Sequence, residues 1–156
     1  MELFENYFTA VAVTHPDLLH DEAEGGNKSF FIIEDWDNPQ DVLEAIGRQA
    51  GEHIMVLEDF EDHVSDNGYD NNTIGVSSAF AILKHVSDKR GDKKEAKNEC
   101  RAIALGIIRK LKSDTMYGQL LGKNVVFKLD SKGFAVGPVM SGWYGWRYSF
   151  SWQEQL

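Results

Sequence analysis

Metal-binding chemistry in this chain could come from five histidines, His15, His20, His53, His63 and His85, or from a run of acids. The acids are Glu58, Asp59, Glu61 and Asp62, followed by Asp66 and Asp70 and accompanied by the amides Asn71 and Asn72. No two histidines stand i, i+4, the spacing that places two zinc ligands on one helix face, and the single cysteine, Cys100, pairs with none of them. His53 and His63 fall on one strand-like stretch, about 33 Å apart if extended, too far to share an ion. The acidic run lacks the loop order of an EF-hand, in which a glycine follows three spaced oxygen ligands and a glutamate closes the site. It reads as a solvated acidic hairpin. No metal and no cofactor is expected.

Catalytic constellations are equally thin. Asp130-Ser131-Lys132 after the apolar VVFKL has the D-x-K order that ends restriction-type nuclease sites. Such a site needs another carboxylate on a neighbouring strand, and the only Pro-Asp pair, Pro16-Asp17, sits far away in a loop. Lys132, beside Gly133, is better explained as a turn residue. There is no G-x-S-x-G elbow, and Cys100 falls in the middle of an apolar helical stripe rather than at an electropositive helix start. No glycine-rich loop joins a strand to a helix, so a phosphate cradle is unsupported. The chain does not read as an enzyme.

Charge is the more informative property. The net charge is −9, but residues 1–72 hold 18 Asp/Glu against Lys28 and Arg48, while residues 73–156 hold 14 Lys/Arg against 7 acids. Opposite sign in the two halves suggests two faces of opposite potential. Acids and bases could simply solvate different loops. The sharper reading is head-to-tail assembly, with Asp62, Asp66 and Asp70 on one protruding surface and Lys93, Lys94, Lys97 and Arg101 on another. A nucleic-acid backbone could use the same basic segment, but the acidic first half would repel it, so nucleic acid is an unlikely partner on charge alone.

Those residues must be positioned by regular elements. Asp92–Lys112 carries Cys100, Ile103, Ala104, Ile107, Ile108 and Leu111 on a 3.6-residue period, the stripe of a helix lying on a sheet. Asp92 and Glu95 suggest a capped start, and Arg109, Lys110 and Lys112 a basic last turn. A first helix is expected over 2–13, with Leu3, Tyr7 and Val11 on its stripe and Phe4 and Phe8 beside them. A strand follows at 29–34 and a second helix at 40–50. His53–Val64 and Thr73–Val86 read as a long hairpin with an exposed acidic tip, Ile54, Val56, Glu58 and Phe60 sharing one face. Residues 113–123 read as a loop, then come strands at 124–130 and 134–139.

The last strand alternates. Trp146, Tyr148, Phe150 and Trp152 point one way, and Arg147, Ser149 and Ser151 the other, as in a strand with one packed and one wet face. Trp143 and Tyr144, flanked by Gly142 and Gly145, fall outside this alternation and read as the exposed aromatics. The predicted fold class is α+β: one domain over 1–156, a mostly antiparallel sheet with a long hairpin, covered on one face by helices. No segment reaches the ~18 apolar residues of a membrane span, and the N-terminus lacks the pattern of a secretory signal. A cytoplasmic protein is expected.

The C-terminal GPVMSGWYGWRYSFSW resembles small structural proteins of tailed phages and prophages, in the neck and tail-completion group, which often end on a strand with a G-W-x-x-x-F pattern. Here that pattern is Gly145, Trp146 and Phe150. The expected element order is similar to that of tail-terminator proteins, apart from the additional strand at 29–34 and helix at 40–50. The resemblance implies a non-enzymatic protein that assembles with itself into a ring, six subunits being one size, and with other tail or neck proteins. Its location would then be the virion as well as the cytoplasm. A small binding module for a protein or nucleic-acid partner, acting through helix 92–112, is the alternative.

Overall fold

The computed structural model describes residues 2–33, 52–66, 68, 72–86, 89–116, 125–128, 131–139 and 142–155. Their elements are α1 (Glu2–Thr14), β1 (Phe30–Ile33), β2 (His53–Glu58), β3 (Glu61–Ser65), β4 (Thr73–His85), α2 (Arg90–Met116), β5 (Val125–Lys128), β6 (Gly133–Val139) and β7 (Trp143–Gln155). The class is α+β. The helix expected over 40–50 and Asp70 lie outside the described residues.

The spine of the sheet is an antiparallel ladder between β4 and β7, running from Thr73–Gln155 to His85–Trp143. Two strands flank each side of it in succession. On the β4 side, β2 pairs near the Lys84 end and β3 near the Thr73 end. On the β7 side, β6 pairs near Trp143 and β5 near Gln155. Strand β1 lies outside β2 and is parallel to it; every other pairing is antiparallel.

Apolar alternation decides which face each helix covers. Phe80 and Ile82 of β4, Met55 and Leu57 of β2, and Tyr148, Phe150 and Trp152 of β7 form one core with α1 and α2. Cys100, Ile103, Ala104, Ile107, Ile108 and Leu111 all face it, as their period required. Phe4 stacks on Trp152 with ring centroids 4.0 Å apart, and Phe8 lies between Phe80 and Phe150 at 5.4 Å from each. Fully burying a ring of this size contributes roughly 1.5–3 kcal/mol, so this aromatic group is a main source of stability. The opposite face holds a smaller cluster of Ile33, Ile54, Val56, Ala81, Leu83 and Trp143.

Four local expectations are corrected. Helix α1 is rotated: Phe4, Phe8, Val11 and Ala12 are buried while Leu3 is exposed, because the aromatic sheet face takes the larger rings. Strand 53–64 is interrupted after Glu58, and the pairing with β4 shifts by one residue between Leu57–Phe80 and Glu61–Ser77. The extra residue moves Phe60 to the helix-covered face, where it packs on Phe4 and Trp152 instead of following Ile54 and Val56.

Helix α2 is also longer at both ends, 27 residues or about 40 Å. Asp92 therefore lies in its first turn rather than before it. Arg109, Lys110 and Lys112 precede the last turn, which holds no base. The added C-terminal turn is held by Asp114, which accepts hydrogen bonds from Lys110 Nζ at 2.8 Å and from Tyr7 Oη at 2.7 Å.

Trp143 and Tyr144 supply the fourth correction. They are 7% and 5% exposed, because β7 begins at Trp143 and the alternation runs through them. Trp143 belongs to the smaller core, and Tyr144 lies under α2.

Candidate functional site

Three of the four predicted basic residues form a ladder along α2. Lys93, Lys97 and Arg101 stand i, i+4 and i+8 on one helical face. Lys93 Nζ lies 5.3 Å and Lys97 Nζ 5.6 Å from the centroid of the Tyr144 ring, and Arg101 Cζ lies 5.4 Å from the Trp146 ring. Tyr144 and Trp146 are alternate residues of β7 and so share a face. Each cation over an aromatic face is worth about 0.5–1 kcal/mol at such partly exposed positions. Lys94 takes no part in the ladder; it is exposed on another side of the helix. The matching periods of helix and strand were a usable signal that reading the aromatics as exposed concealed.

Glycines permit this arrangement. A β-carbon on Gly145 would fall inside the carbonyl oxygen of Ile82, so β7 can approach β4 here only without a side chain. On the next strand, the Tyr148 ring covers Gly133 and the Tyr144 ring covers Gly137, which has φ +127°. The residues of the resemblance thus have direct structural work. Gly145 gives close approach, Trp146 carries Arg101, and Phe150 is core.

The predicted acidic surface is at the other end of the same ladder. All five residues of β3 are exposed, including Glu61 and Asp62. Asp66, also exposed, turns back on itself, its Oδ1 accepting from the Gly68 amide at 2.8 Å. Tyr144 is level with Lys84, whereas the acidic strand is level with Thr73 to Ser77. Trp146, which carries Arg101, is level with Ile82, so roughly 15–35 Å of strand separates the two groups, about two to four Debye lengths at physiological salt. They do not neutralise each other within one chain.

Ion pairs absent from the predicted site join elements distant in sequence. Lys84 Nζ lies between Glu99 at 2.7 Å and Glu52 at 3.0 Å. Its bond to Glu99 raises the Lys84 pKa and lowers that of Glu99. His53 Nε2 is buried 3.5 Å from the same Glu99 oxygen, without hydrogen-bond geometry. Arg147 and Glu58 meet on the second face. Nothing local in the chain announces pairs such as these.

Burial pushes the Cys100 thiol up to about 12, and the thiol donates to the Tyr144 carbonyl, so at neutral pH it is a core group. Among the described residues, no three His, Cys, Asp or Glu side chains converge to hold a metal ion. No helix among them is long and apolar enough to cross a membrane. The chain matches no protein-family model, no curated protein and no solved structure.

Proposed function

We propose that the protein is a non-enzymatic structural subunit that works by associating with copies of itself, as ring proteins of phage tails and necks do. The observation that carries this reading is the separation of charge along one rigid ladder. An acidic, fully exposed strand stands at one end and a cation–aromatic ladder at the other. Surfaces of opposite sign that cannot meet within one chain can meet between chains. Repetition of such a head-to-tail contact closes into a ring when the rotation allows. Electrostatics of this kind chooses orientation and speeds encounter more than it adds affinity.

Mass in solution tests the reading. Light scattering after gel filtration, across concentration and salt, should give a species several times the 17.6 kDa chain, weakening as salt rises. A strict monomer up to millimolar concentration would overturn self-association.

A second reading, a binding module for nucleic acid, draws support from the exposed Lys94, Arg101, Arg109, Lys110 and Lys112 on α2. It requires DNA or RNA affinity that falls steeply with salt and is lost in Lys93→Ala/Lys94→Ala/Lys97→Ala. Salt-independent or undetectable binding would remove it.

A further inference from the structure

At the acidic end of the sheet four strands stand level. Glu61, Ser77, Ser151 and Lys128 form one row across β3, β4, β7 and β5. Three rows along, Val64, Ile74, Glu154 and Val125 form another. Strands β3 and β5 are therefore the opposite edges of one four-stranded segment. Among the described residues each has a single strand partner, β4 for β3 and β7 for β5.

Their direction and charge are complementary. Every pairing in the segment is antiparallel, so β3 and β5 run in opposite directions. A second copy in the same orientation brings its β5 antiparallel to β3 of the first, and the sheet continues without a change of pattern. Strand β3 carries Glu61 and Asp62 and no Lys or Arg; β5 carries Lys128 and no acid. Pairing β3 with β3 would instead set acids against acids, which is unfavourable across strands. An open edge also presents backbone N–H and C=O groups that a strand satisfies better than a side chain can. Val64, 58% exposed on β3, adds apolar surface to the contact.

We propose that β3 of one copy pairs antiparallel with β5 of the next, with Glu61 level with the neighbour's Lys128, so that one sheet runs from subunit to subunit. This rests on the self-association proposed above, but sets β5 of the next copy, rather than its α2 ladder, against the acidic strand. Edge pairing sets register, and the charge on α2 is left to orient the approach.

Charge reversal tests it in a way that folding defects cannot imitate. Glu61→Lys and Lys128→Glu should each weaken assembly alone, by roughly five-fold per contact, since each sets like charges opposite one another. Mixed in equal amounts they should assemble again, because every contact then joins opposite charges and the two variants alternate. Oxidation of a Val64→Cys and Val125→Cys mixture should give a cross-linked heterodimer. If the wild-type chain assembles while both reversals assemble equally well and the cysteines do not cross-link, edge pairing is overturned and self-association stands. Loss of assembly in Lys94→Glu/Arg101→Glu with intact assembly in both strand reversals would likewise overturn it, in favour of α2. A wild-type monomer at all concentrations overturns both readings.

Discussion

Arg147 and Glu58 face one another across β4 as a fork on a fork. Arg147 Nε lies 3.0 and 3.1 Å from the two carboxylate oxygens and Nη2 lies 2.6 Å from Oε2. The pair bridges β2 and β7, which are not neighbours, and the β4 residues between them on that face are the small Ala79 and Ala81. Phe134 of β6 adds an aromatic surface 5.2 Å from the guanidinium. The pair sits at the residue before β2 slips its register, so it pins the strand where the ladder is weakest.

Removing one partner should cost more than removing both. Glu58→Gln or Arg147→Met alone removes one of the two opposite charges of a partly buried pair, and each should destabilise by about 1–3 kcal/mol. The double variant should lose less than the sum. A double-mutant cycle by urea unfolding measures the difference, and strict additivity would contradict the bridge.

The glycines should respond in opposite directions. Gly145→Ala places a methyl inside the Ile82 carbonyl and must push β7 from β4, so loss of soluble folded protein, or a loss of roughly 3 kcal/mol or more, is expected. Gly106 lies exposed in the middle of α2 with nothing within 4 Å of an added β-carbon. Gly106→Ala should stabilise by about 0.5–1 kcal/mol, raising the melting temperature by a few degrees. Thermal unfolding of both variants checks the pair.

His20 should make stability depend on mild acid. Its Nδ1 accepts from the amides of Ser29 and Phe30, both at 3.1 Å, and burial lowers its pKa from the ordinary 6.5. The folded chain thus binds fewer protons here than the unfolded chain. Its contribution is complete above pH ~6.5 and falls as pH drops through the depressed folded value. His20→Asn, which retains an acceptor but does not titrate, should flatten stability against pH below 6.5. An unchanged profile would show that the loop is insensitive to this ring.

Tyr7 and Asp114 tie the two helices together. Tyr7→Phe removes the 2.7 Å bond and should cost about 1 kcal/mol. Asp114 is held below the usual carboxylate range first by Lys110 and then by Tyr7. Its titration, followed by NMR, should therefore move upward in Tyr7→Phe without reaching the ordinary value. The stability linked to Asp114 is present above the ordinary carboxylate range and is lost as pH falls through the lowered value. In the variant that loss should be smaller and should be complete at a higher pH.

Features that depend on one segment's own period were determined by the chain alone. The stripe from Cys100 to Leu111, the alternation from Trp146 to Trp152 and the acidic hairpin end all follow from spacing that any helix or strand must obey. Tertiary structure decided whatever depended on a neighbour. Phe60 changed face because β4 offered one fewer partner than β2 and β3 supplied residues. Trp143 and Tyr144 were buried because β4 extends to His85 and draws the start of β7 into the ladder. Helix α2 gained its last turn from Tyr7, 107 positions away. The level edges of β3 and β5 have the same origin. Local spacing gives a strand its faces, but its height beside other strands is set only by the ladder of hydrogen bonds that joins them.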